Sequence, residues 1–207
     1  MKNIIFDWSG VIKDAVKAQL WATNKVFQKH GVEPLSLEQF REDWEQPYQL
    51  FYNKYIPDIS LEEEGRDYRE AMTSTDCPKS GVFPQIAELI IDLKRMNNLL
   101  VVVSSDHKET LLKEIELFGL KDIFDKVISE VHDKSDSVEG IIKEYQLEPE
   151  ETYFIGDSNH EVEVAKKFGI HSVAVTWGFC NEKRLSSVEP DFLVHNPQAL
   201  QEILLNS

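Results

Sequence analysis

The sequence predicts an α/β protein: a doubly wound parallel sheet with an α-helical segment inserted after its first strand. An apolar run, Asn3-Ile4-Ile5-Phe6, stops abruptly at Asp7 and is bounded by Ser9-Gly10, which reads as a short strand buried in mid-sheet. From Gly81 onward, short apolar runs alternate with stretches of helical periodicity, the pattern of parallel strands joined by right-handed crossover helices. Between these two regions, residues 15–80 read as mainly helical.

Taken in order, Asp14 precedes a helical stretch from Ala15 to Lys29, with Val16, Leu20 and Phe27 in rough register and Gly31 at its end. Ser36-Leu37-Glu38-Gln39 and Ser60-Leu61-Glu62-Glu63 both fit the capping box that starts a helix. Between them Tyr48, Phe51, Tyr52 and Tyr55 fall at helical spacing, a stripe more in keeping with the core of a helical unit than with a substrate platform. Pro84 suits the first position of a helix whose Ile86, Leu89, Ile90 and Leu93 form one face. Strands are then expected at Leu99–Val103, Val127–Ser129, Tyr153–Ile155, Ser172–Thr176 and Asp191–Val194. Helices are expected around Leu111–Phe118, up to Tyr145, over Val162–Phe168 and from Pro197. Residues 1–14 and 81–207 are thus expected to form the core, and 15–80 a cap positioned over the crevice beside Asp7 as a lid.

At 207 residues the chain can bury a sizeable core. A formal charge of −15 disfavours nucleic-acid and anionic membrane partners. No run approaches the length of a membrane span and no leader is legible, so a cytoplasmic location is expected, with the oligomeric state open. Cys77 and Cys180 are far apart and read as free thiols. The acidic cluster Glu62-Glu63-Glu64 reads as solvated surface at a helix start.

Asp7, at the carboxyl end of a central strand, would sit in the crevice where open α/β sheets bind ligands, with the following amides free to face an anion. Ser104 closes the run before Ser105-Asp106, Lys134 stands in His132-Asp133-Lys134-Ser135, and Asp157 in Gly156-Asp157-Ser158-Asn159. Each has a plainer reading as turn former, helix cap or solvated lysine. All four nevertheless fall at one edge of one sheet.

On these residues the chain resembles the haloacid dehalogenase superfamily with a helical cap of the C1 type. FDWSGVI is similar to its first motif with Asp7 as nucleophile, VVVSS to its second with Ser104, Lys134 to its third, and GDSNHE to its fourth with Asp157 and Glu161. VFPQI, VAVTWGF and PDFLV add to a likeness that spans essentially the whole chain. The resemblance implies a phosphatase acting on small phosphorylated metabolites through an aspartyl phosphate. Ser104 and Lys134 would assist catalysis and bind phosphate, with Trp8, Ser9 and Ser105 as further substrate-binding candidates; for Trp8, packing is the plainer role. It implies Mg2+ held by Asp7, Asp157 and the main-chain carbonyl of Ser9. Glu161 replaces the usual second aspartate of the fourth motif, to hold Lys134 or a water beside the metal.

One departure matters. The family's phosphatases carry a second aspartate two residues after the nucleophile as general acid and base, and here that residue is Ser9. Removing such an acid costs about 10^2- to 10^4-fold in rate. Asp106, His107, His132 and His160 are candidate substitutes. Alternatively the chemistry never needed the acid, as in carbon-halogen cleavage or in carbon-phosphorus cleavage of the phosphonoacetaldehyde type. The latter resembles this chain in its DWAG text and would take Lys54 as its Schiff-base amine. A third alternative is a non-catalytic phosphate- or protein-binding module on the same fold.

Overall fold

Strand β1 (Asn3–Phe6) is the axis of the protein, buried on both faces. The computed structural model describes residues 1–206. After β1 come a two-residue strand β2 (Lys13–Asp14) and four helices: α1 (Val16–Lys29), α2 (Leu37–Asp43), α3 (Tyr48–Tyr55) and α4 (Leu61–Met72). Strand β3 (Gly81–Val82) pairs antiparallel with β2, Lys13 opposite Val82 and Asp14 opposite Gly81. The chain continues through α5 (Pro84–Arg95), β4 (Leu99–Val103), α6 (Lys108–Leu117), β5 (Lys126–Ile128) and α7 (Lys134–Tyr145). It ends with β6 (Thr152–Gly156), α8 (Asn159–Phe168), β7 (His171–Val175), α9 (Glu182–Ser187), β8 (Phe192–Val194) and α10 (Pro197–Asn206).

The main sheet is six-stranded and parallel, in the order β5-β4-β1-β6-β7-β8. The chain winds outward from β1 through β4 to β5, then returns to β1's other side for β6, β7 and β8. The doubly wound expectation is therefore met, and the switch in direction leaves a crevice at the carboxyl end of β1. Alternate residues serve opposite faces. Ile4, Phe6, Leu100, Val102 and Ile155 pack with Ile86, Leu89, Ile90 and Leu93 of α5, while Ile5, Val101, Val103 and Phe154 pack with Val138 and Ile141 of α7 and Val164 and Ala165 of α8. Helices on both faces explain why these strands are apolar without alternation. Each such side chain contributes about 1.5–3 kcal/mol through burial.

Helices α1 to α4 form around Phe27, Phe40, Trp44, Phe51 and Tyr52, all buried. Phe179, between β7 and α9, joins them, its ring 5.1 Å from Trp44 and 6.1 Å from Phe40, and Arg41 donates to the Trp177 carbonyl at 2.9 Å. The helices thus rest on a loop at the carboxyl edge of the sheet. Ser36 makes the full capping box with Gln39. Ser60 caps α4 by accepting from Glu63 N, but the Glu63 carboxylate turns instead to Arg66. No described helix is long and apolar enough to cross a membrane, and both cysteines are free.

Helices α1 and α4 are joined by a buried carboxylate. Asp67 accepts from Lys29 at 2.8 Å, faces His30 Nε2 at 3.0 Å and accepts from Arg66 at 3.2 Å. Burial works against its charge, but these hydrogen bonds prevail and hold it at about 2, below the ordinary 3.8. A carboxylate lowered on folding stabilises above its unfolded value and loses that contribution as pH falls through the folded one. Asp67→Asn is therefore expected to flatten the acid limb of stability between roughly pH 4 and pH 2, read from urea unfolding against wild type. An unchanged slope there would refute the assignment.

Candidate active site

Asp7 continues the sheet by one hydrogen bond, its N donating to the Ile155 carbonyl at 2.9 Å. The chain then turns sharply, with Ile12 N and Lys13 N both on the Trp8 carbonyl at 2.9 Å. Gly10 makes the turn possible. Its φ is +94°, and a Cβ there would lie 1.9 Å from Asp157 Oδ2, so the loop can pass against Asp157 only without a side chain.

Three carboxylates and one ammonium meet below this turn. Lys134, the first residue of α7, is fully buried and places Nζ 2.7 Å from Asp7 Oδ1 and 2.6 Å from Glu161 Oε1. Asp133 fixes the helix start by accepting from Ser135 N at 2.9 Å. Glu161 is held in the capping box of α8, its Oε2 accepting from Ser158 N at 2.9 Å and Ser158 Oγ at 2.5 Å. Asp157 follows β6. Its Oδ2 accepts from Phe179 N at 2.7 Å, and its Oδ1 is buried with no hydrogen-bond partner.

Counting one charge each for Asp7, Asp157, Glu161 and Lys134 leaves −2 in a buried space. Burial, with Glu161 adding, pushes Asp7 up to about 7 against the pull of Lys134. Burial, then Asp7 and Glu161, raises Asp157 well above the carboxylate range. For Lys134 burial disfavours the charge, but Asp7 and Glu161 outweigh it and raise the ammonium. Burial acts against Glu161 too, yet Lys134 keeps it low. The deficit of positive charge thus falls on Asp7 and Asp157, and the orphaned Asp157 Oδ1 gives it a direction. This all-oxygen pair suits a hard divalent cation.

A cavity of about 540 Å³ opens over Asp7. Ser9, Lys13, Ser105 and Asp106 line it from the sheet edge; Tyr48, Tyr52, Glu64, Tyr68 and Arg69 line it from α3 and α4. Ser104 lies just beneath, 1 % exposed, its Oγ accepting from Asp106 N at 3.0 Å. That bond is the plainer turn-forming role, and it leaves the hydroxyl proton for another acceptor.

The structure corrects several expectations. Trp8 does not line the cavity: it is fully buried, stacked on Phe118 at 5.8 Å, with Nε1 donating to Glu114 at 2.9 Å. Glu161 has its oxygens engaged by Lys134 and Ser158, so of its two expected roles the hold on Lys134 is the one seen. Lys54 sits on the outside, 3.5 Å from Asp43 and 3.6 Å from Glu45, where no desolvated amine for a Schiff base is formed. Glu64, expected in solvent, is 3 % exposed. Of the four acid substitutes, Asp106, His107 and His132 reach the cavity. His160 instead accepts from Lys134 N at 3.2 Å. Asp106 lies nearest the departure from the family text, its Oδ2 accepting from Ser9 Oγ at 2.8 Å and 3.6 Å from Lys13 Nζ.

Fold and site together define an α/β protein with a buried carboxylate at the switch point of its sheet, braced by a lysine and open to a ligand cavity. The sequence model of the family described as haloacid dehalogenase-like hydrolase matches residues 4–175, and the chain belongs to that family. It is similar to the phosphoglycolate phosphatase of Synechococcus elongatus, 25% identical over 206 residues covering 97% of this chain and 95% of the relative. It is also similar to the phosphoglycolate phosphatase of Aquifex aeolicus, 24% identical over 211 residues covering 100% and 98%. Among solved structures, a haloacid dehalogenase-like hydrolase from Streptococcus pneumoniae superposes with a TM-score of 0.81 at 22% identity, over 98% of each chain. That likeness is one of fold.

Proposed function

We propose that the protein is a Mg2+-dependent phosphatase of small phosphorylated compounds, with Asp7 as nucleophile. The observation that carries this reading is the Asp7 carboxylate itself, held at 2.7 Å by a fully buried lysine beneath the cavity and beside an unpartnered Asp157 oxygen. The relatives' names point the same way.

Asp7 attacks phosphorus, the ester P–O bond breaks, and an aspartyl phosphate forms; water then attacks that phosphorus and frees both Asp7 and phosphate. Lys134 holds Asp7 in line and offsets charge on the phosphoryl oxygens, and the Ser104 hydroxyl supplies a further donor. Asp7, Asp157 and the Ser9 carbonyl would hold Mg2+, which supplies charge neutralisation at the phosphoryl group. Asp106, steadied by Ser9, takes the proton work of the missing aspartate, giving a proton to the leaving oxygen and later accepting one from water. Residues 15–80 serve as a cap over the core formed by 1–14 and 81–207, keeping bulk water from the site while the one attacking water is admitted.

The test is phosphate release from alkyl, aryl and acyl phosphates, with Mg2+ and with chelator. Turnover is expected to vanish with chelator and return with Mg2+. Asp106→Asn is expected to slow alkyl esters about 10^2- to 10^4-fold more than aryl or acyl phosphates, whose leaving groups need no proton. Equal slowing of all three would remove Asp106 from that role, and indifference to chelator would remove the metal.

A further inference from the structure

Glu64 has no part in the mechanism above, yet its place on α4 puts it in the same cavity as Asp7. It is 3 % exposed, and its carboxyl makes no hydrogen bond and no ion pair within 4 Å among the described residues, Arg69 being the cation that acts on it from further off. Burial raises it to about 7, with Arg69 opposing and Asp67 adding. Its oxygens keep some solvent contact at the cavity, and a carboxylate so nearly buried gains from a donor placed there. Of the neighbouring hydroxyls, Tyr68 donates to Gln19 at 2.5 Å and Tyr52 pairs with Thr23 at 3.2 Å, while that of Tyr48 makes no hydrogen bond among the described residues. Tyr48, Tyr52 and Tyr68 wall the cavity beside it, and aromatic faces attract cations.

We propose that the substrates are phosphate esters carrying an ammonium group away from the phosphate, with Glu64 as the carboxylate that receives it. The proposal rests on the phosphatase reading for its reaction, though not for its recognition. The ammonium supplies the donor that Glu64 lacks, and the tyrosine rings favour the charge. Esters of amino alcohols and of amino acids share this group. They differ in the carboxylate, for which Arg69 is placed on the same cavity wall, within electrostatic reach of Glu64.

The experiment compares kcat/KM for O-phosphoethanolamine, O-phosphoserine, glycerol phosphate, phosphoglycolate and p-nitrophenyl phosphate in wild type, Glu64→Gln and Arg69→Gln. The two amines are expected to lead. Their ratio to p-nitrophenyl phosphate should fall about 10- to 100-fold in Glu64→Gln, the scale of a lost hydrogen bond to a charged group. Arg69→Gln lowering O-phosphoserine alone would indicate amino-acid esters; indifference of both amines would indicate amino alcohols. Preference for phosphoglycolate or glycerol phosphate, or equal loss for all esters in Glu64→Gln, would overturn the proposal.

Recognition is read separately from turnover, by calorimetry with 2-aminoethylphosphonate and 2-hydroxyethylphosphonate. Tighter binding of the amine, lost in Glu64→Gln, with no ester hydrolysed would overturn the phosphatase reading and leave amine recognition standing. Equal binding of the two would overturn amine recognition.

Discussion

Asp7→Asn is expected to lower kcat by about 10^4- to 10^6-fold, the scale on which loss of a nucleophile acts, while substrate still binds. An amide nitrogen cannot replace the carboxylate oxygen in attack on phosphorus, yet it fills the same volume, and Lys134 keeps Glu161 at 2.6 Å. Phosphate release measures the loss, and calorimetry on the variant measures the retained binding. Acid-quenched wild type exposed to substrate should carry covalent phosphate, and the variant none. Turnover within tenfold of wild type would show that another group attacks.

The largest effect on stability is expected at Lys134. Removing one partner from a buried charge cluster costs about 3–5 kcal/mol, because the opposite charges remain without compensation. In Lys134→Met, Asp7, Asp157 and Glu161 would share the site with no cation, all three being buried. A chain of this size loses about 2–4 °C in Tm per kcal/mol, so a fall of roughly 6–20 °C at neutral pH is expected. The sign with pH follows. Carboxylates raised on folding gain protons in the native state, so the variant should regain stability relative to wild type as pH falls towards the ordinary carboxylate range. Calorimetric melts of both proteins from pH 7 to pH 5 check this, and a loss under 1 kcal/mol at neutrality would mean that water already reaches Lys134.

The sheet was legible because β1, β4, β6 and β7 each carry a local signal, an apolar run ending in a polar or glycine residue, and nothing tertiary overrides it. Asp7, Lys134 and Asp157 shared an address at the ends or starts of those elements, and the fold brings them together. Trp8 is a candidate substrate contact by its nearness to Asp7, with packing as its plainer role, and packing is the role it has. The period of two along the strand places it with Ile4 and Phe6, and all three lie in one core cluster. Glu64 was hidden by composition, since it stands in a run of three glutamates. Only the helical period aligns it with the buried Asp67 and Ala71 and separates it from Glu62. Lys54 had the right chemistry but is drawn outward to Asp43 and Glu45, beside the buried Phe51 and Tyr52, a distinction that needs the packing of α3 against Phe27. The β2–β3 pairing was invisible: two residues on each side carry no pattern, and their pairing spans 67 positions, from Asp14 to Gly81.

That small ribbon separates two kinds of variation. Because Asp14 and Gly81 stand opposite one another, the chain leaves and re-enters at a single point, and each doubling of the loop between them adds only about 0.6 kcal/mol to its closure cost. Residues 15–80 can therefore lengthen, shorten or be exchanged for another segment without shifting the register of any strand in the main sheet. A two-residue turn would suffice to join the ribbon's ends. What such an exchange must reproduce is the cover over Phe179 and Cys180, which α2 and the residues around Trp44 now keep from water. On the reading proposed above, specificity and chemistry would in that sense be separately replaceable parts, joined across four residues.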